Sequence, residues 1–238
     1  MSPVWSRLLL VLCCLSPAVF AETPLRVAVA ANFLPTAEVL RAEFGAERMT
    51  LHPGATGQLY AQISQGAPFD VFLSADQATA QRLYDDGKTL TAPQTYAIGR
   101  LALWTPGQPA PEFSQLAGFA RLVMADPKLA PYGAAALSCV QRLVPTWQGQ
   151  WLKGTSVAQA HQMLISGAAP AGFVAWSQVL TAPAAEVRLL PETCHVPLIQ
   201  QAVLLKRSAP HPAAQAFWDF LFSPTARQQI AAGGYAAP

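Results

Sequence analysis

The chain has 238 residues, with 15 Lys and Arg against 13 Asp and Glu, a formal net charge of +2, and only 12% charged residues. So small a positive excess excludes nucleic acid as the main partner, because no surplus of Lys or Arg is left to neutralise phosphates. The length allows one large domain or two lobes with a substantial core, and the low charge reads as compactness.

The N-terminus is a leader rather than part of the fold. Arg7 is its one charge, an apolar run from Leu8 to Leu15 follows, and Val19-Phe20-Ala21 offers a cleavage site after Ala21. The run is short for a bilayer span, which needs about 20 residues, so a retained anchor is the weaker reading. Lipid attachment at Cys13 is weaker still, because Leu12 precedes it where a small residue is wanted. Cleavage removes Cys13 and Cys14 and leaves Cys139 and Cys194. An even number of cysteines in an oxidising compartment fits one disulfide, with two separate buried thiols as the alternative.

Short apolar runs then alternate with helical spacing. Strands are expected at Leu25 to Ala30, Met49 to Leu51 and Asp70 to Leu73. Helices are expected at Phe33 to Phe44, from Gln58 to Ile63 and from Asp76 to Tyr84. This order implies a largely parallel sheet covered on both faces, with its strand ends on one edge. Tyr96 to Trp104 is a long apolar segment suited to crossing into a second lobe. There, strands at Arg121 to Met124, Gly172 to Ala175 and Val187 to Leu190 accompany helices at Gly133 to Leu143 and Val157 to Ile165. Leu198 to Leu205 reads as the return crossing, and Pro212 to Phe222 and Thr225 to Ala232 as closing helices split by Pro224. The expected architecture is α/β with two lobes, each a mainly parallel sheet flanked by helices, joined by two crossing strands. The leader takes 1–21, the first lobe 22–98 and 203–238, and the second lobe 99–202.

Signatures of catalysis are missing. His52, His161, His195 and His211 form no H-E-x-x-H motif, Cys194-His195 lacks the remaining ligands of a zinc site, and no G-x-S-x-G elbow occurs. Gly54-Ala55-Thr56-Gly57 is not a phosphate loop, since the long spacing and the Lys are absent, and Asp85-Asp86 beside Gly87 reads as a solvated helix end. Trp147, Trp151 and Trp176 read as packing residues. What stands out is polar residues at strand-to-helix turns: Asn32, Thr56, Tyr132 between Pro131 and Gly133, and Ser156-Val157. Helix N-termini present unpaired N–H groups and the positive end of the dipole, and they bind anions without a basic side chain. Asn32, Thr56 and Ser156 also fit simple N-caps, and Tyr132 an ordinary aromatic. Asp76 reads as the N-cap of the helix that follows it.

These turns carry a resemblance. Val27-Ala28-Val29-Ala30-Ala31-Asn32-Phe33, Gly54 to Ile63, Gly66 to Asp76, Ala130-Pro131-Tyr132-Gly133-Ala134, Gly172-Phe173-Val174-Ala175 and Gln200-Gln201-Ala202-Val203 are six ordered blocks between Leu25 and Tyr235. Together they resemble the molybdate-binding proteins of ABC importers, within the wider class of two-lobed periplasmic binding proteins. The resemblance implies a type II-like fold, a periplasmic monomer without enzymatic activity, and an inner-membrane permease as partner. It also implies molybdate or tungstate as ligand rather than any cofactor or bare metal cation. Asn32, the Thr56 hydroxyl, Tyr132 and the Val157 N–H would hold the oxyanion, with Ala31 able to add its N–H. Ala175 stands where some members of the family carry a Tyr, and Ala31 stands where others carry a Thr. Another oxyanion or a small organic acid is the nearest alternative, and an exported enzyme on a related scaffold a further one.

Overall fold

The computed structural model describes residues 23–209 and 211–237. The expected leader, 1–21, with its cleavage after Ala21, lies outside them. No described helix is long and apolar enough to cross a membrane.

The first lobe is built on β1 (Leu25–Ala30), β2 (Met49–Gly54), β3 (Val71–Ser74), β4 (Gln94–Gly99) and β10 (Leu198–Leu204), in the order β2-β1-β3-β10-β4. The second uses β5 (Leu101–Trp104), β6 (Arg121–Ala125), β7 (Gln150–Gly154), β8 (Gly172–Ala175) and β9 (Val187–Leu189), in the order β7-β6-β8-β5-β9. Each order is the same pattern. The chain enters the second lobe as β5, antiparallel to β8 and β9, and re-enters the first as β10, antiparallel to β3 and β4. The remaining pairs, β1 with β2 and β3, and β6 with β7 and β8, are parallel.

Strand alternation distributes each sheet between two cores. In the first lobe Leu25, Val27 and Val29 pack under α1 (Leu34–Phe44), α6 (Pro212–Leu221) and α7 (Pro224–Ala232). Ala28, Phe72 and Val203 pack under α2 (Thr56–Ser64) and α3 (Gln77–Asp85) on the other face. In the second lobe Leu101 and Leu103 face α4 (Pro131–Leu143), whereas Ala102 and Trp104 face α5 (Val157–Ile165). Burial on both faces explains why these strands read as continuous apolar runs.

Two expectations are corrected. The return to the first lobe falls before Leu198 rather than at Val203, because the whole of β10 is laddered onto β4 and β3. The strand β7 lies where only packing tryptophans were expected. Trp147 and Trp151 do pack, with ring centroids 4.4 Å apart, and the Trp147 indole donates to the Phe119 carbonyl.

Candidate ligand-binding site

In each lobe the turns that leave the parallel strands lie on one edge, and the two edges meet. Ala30, Ala31 and Asn32 after β1, Gly54 to Thr56 after β2 and Ala75 after β3 face Ala130, Pro131 and Tyr132 before and within α4, and Val157 at the start of α5. The space they line is about 10 Å³, room for little more than one water and far below the roughly 300–1,000 Å³ of sites for drug-sized molecules. A larger cleft of about 390 Å³ opens between β4 and α7, around Gln94, Arg227 and Ala237, but it gathers no helix N-termini. Size alone therefore does not locate the site. The small cavity has neither a charged side chain nor a histidine or cysteine among its lining residues.

All five residues expected at the site line this one cavity. Thr56 is the first residue of α2, with Ala55 in the cap position and no side-chain cap. Its hydroxyl is therefore not a cap. Thr56 Oγ1 accepts the Ala75 N–H at 3.1 Å, which leaves its own proton unassigned among the described residues. Tyr132 follows Pro131 at the start of α4, which also lacks a side-chain cap. Its Oη accepts the Gln200 Nε2–H at 3.2 Å, again with its proton unassigned. The backbone N–H groups of Asn32, Thr56, Tyr132 and Val157 have no hydrogen-bond partner among the described residues. For the three helical residues, this is the ordinary condition of a helix's first turn, whose N–H groups point out of the helix end. Ser156, by contrast, is a true N-cap, accepting the Gln159 N–H at 3.2 Å and leaving the Val157 N–H free.

Ala31 differs from expectation. It lines the cavity, but its N–H donates to the Gly54 carbonyl at 2.9 Å, continuing the β1–β2 ladder by one residue. It supplies wall, not a donor. Asn32 does not cap α1 either, since Phe33 holds the cap position with no side-chain hydrogen bond. Asp76 does cap α3, accepting the Thr79 N–H at 2.6 Å.

The lobes are latched around the cavity. The Gly57 N–H donates to the Leu129 carbonyl at 3.0 Å across the interface. A Cβ at Gly57 would stand 3.1 Å from that oxygen, so glycine is what lets the two backbones approach. The Ser177 hydroxyl donates to the Asn32 carbonyl at 3.0 Å, and Tyr235 Oη lies 2.7 Å from the same carbonyl.

Behind the cavity lies a buried polar cluster that sequence reading gave no role. Gln200, on β10, lies 3.0 Å from both Asn32 Nδ2 and Tyr96 Oη through its Oε1. Asn32 Nδ2 also donates to Tyr235 Oη at 3.1 Å. The available signal was a pair of glutamines, Gln200 and Gln201, inside an apolar crossing strand, since a buried amide demands partners. Burial pushes the Tyr96, Tyr132 and Tyr235 phenols above their ordinary value, so they stay neutral O–H groups.

Cys139 on α4 and Cys194 before β10 are joined as a disulfide, with Cα atoms 4.6 Å apart. His195 is nearby, but its Nδ1 is 2.7 Å from the Val196 carbonyl, and disulfide sulfurs are not thiolate ligands.

The bacterial extracellular solute-binding protein family matches residues 25–236. The molybdate-binding protein ModA of Rhodobacter capsulatus is 39% identical over 87% of this chain and 86% of its own length. That of Azotobacter vinelandii is 40% identical over 88% of each chain. The solved structure of the Azotobacter vinelandii periplasmic molybdate-binding protein superimposes with a TM-score of 0.82 at 36% identity, covering 90% of this chain and 99% of that one. The chain belongs to the bacterial extracellular solute-binding protein family and groups there with the periplasmic molybdate-binding proteins.

Proposed function

We propose that this protein captures molybdate, or tungstate of nearly the same size, in the cavity between its lobes and delivers it to the inner-membrane permease of an ABC importer. The observation that carries the reading is the cavity's chemistry. Two hydroxyls, Thr56 and Tyr132, each already accept a protein hydrogen bond and have a proton to give, and four of the lining residues have an unpartnered backbone N–H. A fully deprotonated tetrahedral oxyanion offers only acceptors, so a wall of donors suits it. A dianion taken from water must be compensated, and hydrogen bonds to a charged group contribute about 1.5–3 kcal/mol each. Neutral donors supply that without a fixed cation that would also attract carboxylates. Asn32, Thr56, Tyr132 and Val157 are the proposed ligand residues, with Ala31 as wall. No nucleophile–base pair lines the cavity, which favours binding over turnover.

Calorimetric titration tests this. Molybdate and tungstate should bind one to one and far more tightly than sulfate or phosphate. Sulfate is smaller, so donors set for the larger ion would be left unpaired around it. Equal affinity for sulfate would refute the selectivity. The protein is further proposed to be a periplasmic monomer that begins at Glu22, which N-terminal sequencing of the mature protein reads directly.

A further inference from the structure

The side chain of Gln200 is fully buried on the strand that returns between the lobes, and it reaches both halves of the site at once. Its Oε1 accepts from Asn32 Nδ2 in the first lobe, and its Nε2 donates to Tyr132 Oη in the second. Tyr96 Oη, with one proton to share, stands 3.0 Å from the same Oε1 and 3.2 Å from the Ser74 carbonyl. The donors gathered at Oε1 fix which way the amide faces, and so which group meets Tyr132. The ladder between β10 and β4 shifts register at Gln200/Gln201, so Tyr96 has no partner residue opposite it. Such bulges re-aim side chains and occur beside functional sites.

We propose that Gln200 is a positioning residue for the oxyanion site: by donating to Tyr132 Oη it occupies the hinge side of that hydroxyl and leaves the phenolic proton to the cavity. The inference rests on the reading of the cavity given above. An amide N–H can only donate, so it cannot take the tyrosine proton, and the O–H must find its acceptor elsewhere. Because Tyr132 belongs to the second lobe and Gln200 to a strand of the first, the hydroxyl is aimed only when the lobes are together. Gly99 provides the room. A Cβ there would collide with the Tyr132 hydroxyl and come within 2.7 Å of Gln200 Nε2, so the space in which the two side chains meet exists because residue 99 has none.

The test is a cycle of molybdate affinities for the unaltered protein, Tyr132→Phe, Gln200→Met and the double variant, with the melting temperature of each recorded without ligand. Tyr132→Phe should weaken binding about tenfold or more. Gln200→Met should weaken it about as much, and the double variant should be little weaker than Tyr132→Phe alone, because Gln200 acts through the hydroxyl that is already gone. Losses that multiply would overturn the positioning role and leave the cavity reading intact. A Tyr132→Phe protein with unchanged affinity would overturn both. If Gln200→Met does not fold, Gly99→Ala decides the matter. It should weaken binding in the Tyr132 protein and add little to Tyr132→Phe, in which the hydroxyl that the new methyl displaces is already gone, although the methyl still crowds Gln200 Nε2. A Gly99→Ala protein that binds molybdate as tightly as the unaltered one, or a loss that Tyr132→Phe does not suppress, would overturn the proposal.

Discussion

The two lobes share one sheet order, with the incoming crossing strand as the antiparallel member, yet they are secured differently. The first is closed by the C-terminal helices α6 and α7, packed with α1 on one face of its sheet. The second has the Cys139–Cys194 disulfide, which ties α4 to the segment entering β10. The helix ends differ too. Helices α6 and α7, which do not line the cavity, are capped by His211 and Ser223, whereas α1, α2 and α4, which begin at or beside the cavity, have no side-chain cap. Two helices beside the cavity do carry caps: α3, where Asp76 follows the lining residue Ala75 and takes the Thr79 N–H, and α5, where Ser156 takes the Gln159 N–H and leaves that of Val157 free. A side-chain cap and a bound anion compete for the same N–H groups, so leaving the caps off keeps those donors available.

The largest expected effect separates the lobes. Replacing Cys139 and Cys194 with Ala should destabilise the second lobe by about 2–5 kcal/mol, the usual cost of losing a native disulfide. The first lobe should unfold as before, splitting the calorimetric transition in two. Thiol labelling of unfolded, unreduced periplasmic protein should find no free cysteine, and two free thiols would remove the asymmetry altogether.

Next comes the pair of hydroxyls, one from each lobe. Tyr132→Phe and Thr56→Val should each weaken molybdate binding by about 1.5–3 kcal/mol. Their effects on stability should differ. Thr56→Val also leaves the buried Ala75 N–H without its acceptor, so its melting temperature should fall as well, while Thr56→Ser should preserve both properties. A Thr56→Val protein that melts lower but binds unchanged would make the hydroxyl a brace between α2 and the β3–α3 turn, and nothing more.

Much of this was legible in the sequence, and what was missed has a physical pattern. Strands buried on both faces, such as β1 and β8, announce themselves as apolar runs and were placed with their observed bounds. Edge strands do not. β7 forms one edge of its sheet, carries Gln150 and Lys153 outward, and was not anticipated. β2 forms the corresponding edge of the other sheet and runs on through His52 and Pro53 to Gly54, beyond the expected Leu51, because an edge tolerates proline. The turns of the site were legible because a polar residue between an apolar run and a helical pattern is conspicuous. The partners of Asn32 were not, since Gln200 and Tyr235 come from positions 168 and 203 residues away.

A smaller effect should distinguish a capped helix end from an open one. Ser156→Ala should lower stability by about 1 kcal/mol with molybdate affinity nearly unchanged, since the Ser156 hydroxyl binds the Gln159 N–H rather than facing the ligand. Placing an Asp at position 55, the cap position of α2, should act on binding instead. It would set a carboxylate beside the oxyanion, so binding should fail, and because position 55 is buried the melting temperature should fall as well. Retained binding in the Ala55→Asp protein would mean that the first turn of α2 does not face the ligand.

The smallest effect concerns pH, and it separates stability from binding. His161, half-buried and stacked on Trp104 in the second lobe, has its pKa lowered from 6.5 by burial. His52, on β2 of the first lobe, is lowered by burial and then by Arg26. A histidine whose folded pKa lies below its unfolded value takes up a proton more readily when the chain unfolds. Stability should therefore be flat above pH 7 or so and decline as the pH falls through 6.5 towards the depressed values. Both rings are partly open to solvent, which keeps the effect small. Replacing His161 by Phe should keep the stack on Trp104 and flatten part of the slope. Binding should behave differently, because no group lining the cavity titrates near neutrality and burial keeps the Tyr132 phenol protonated. Molybdate affinity measured between about pH 6 and pH 8 should stay level while the melting temperature falls at the acid end. If affinity fell in step with the melting temperature, and His161→Phe restored both, the histidine would be coupled to closure of the lobes rather than to the stability of one.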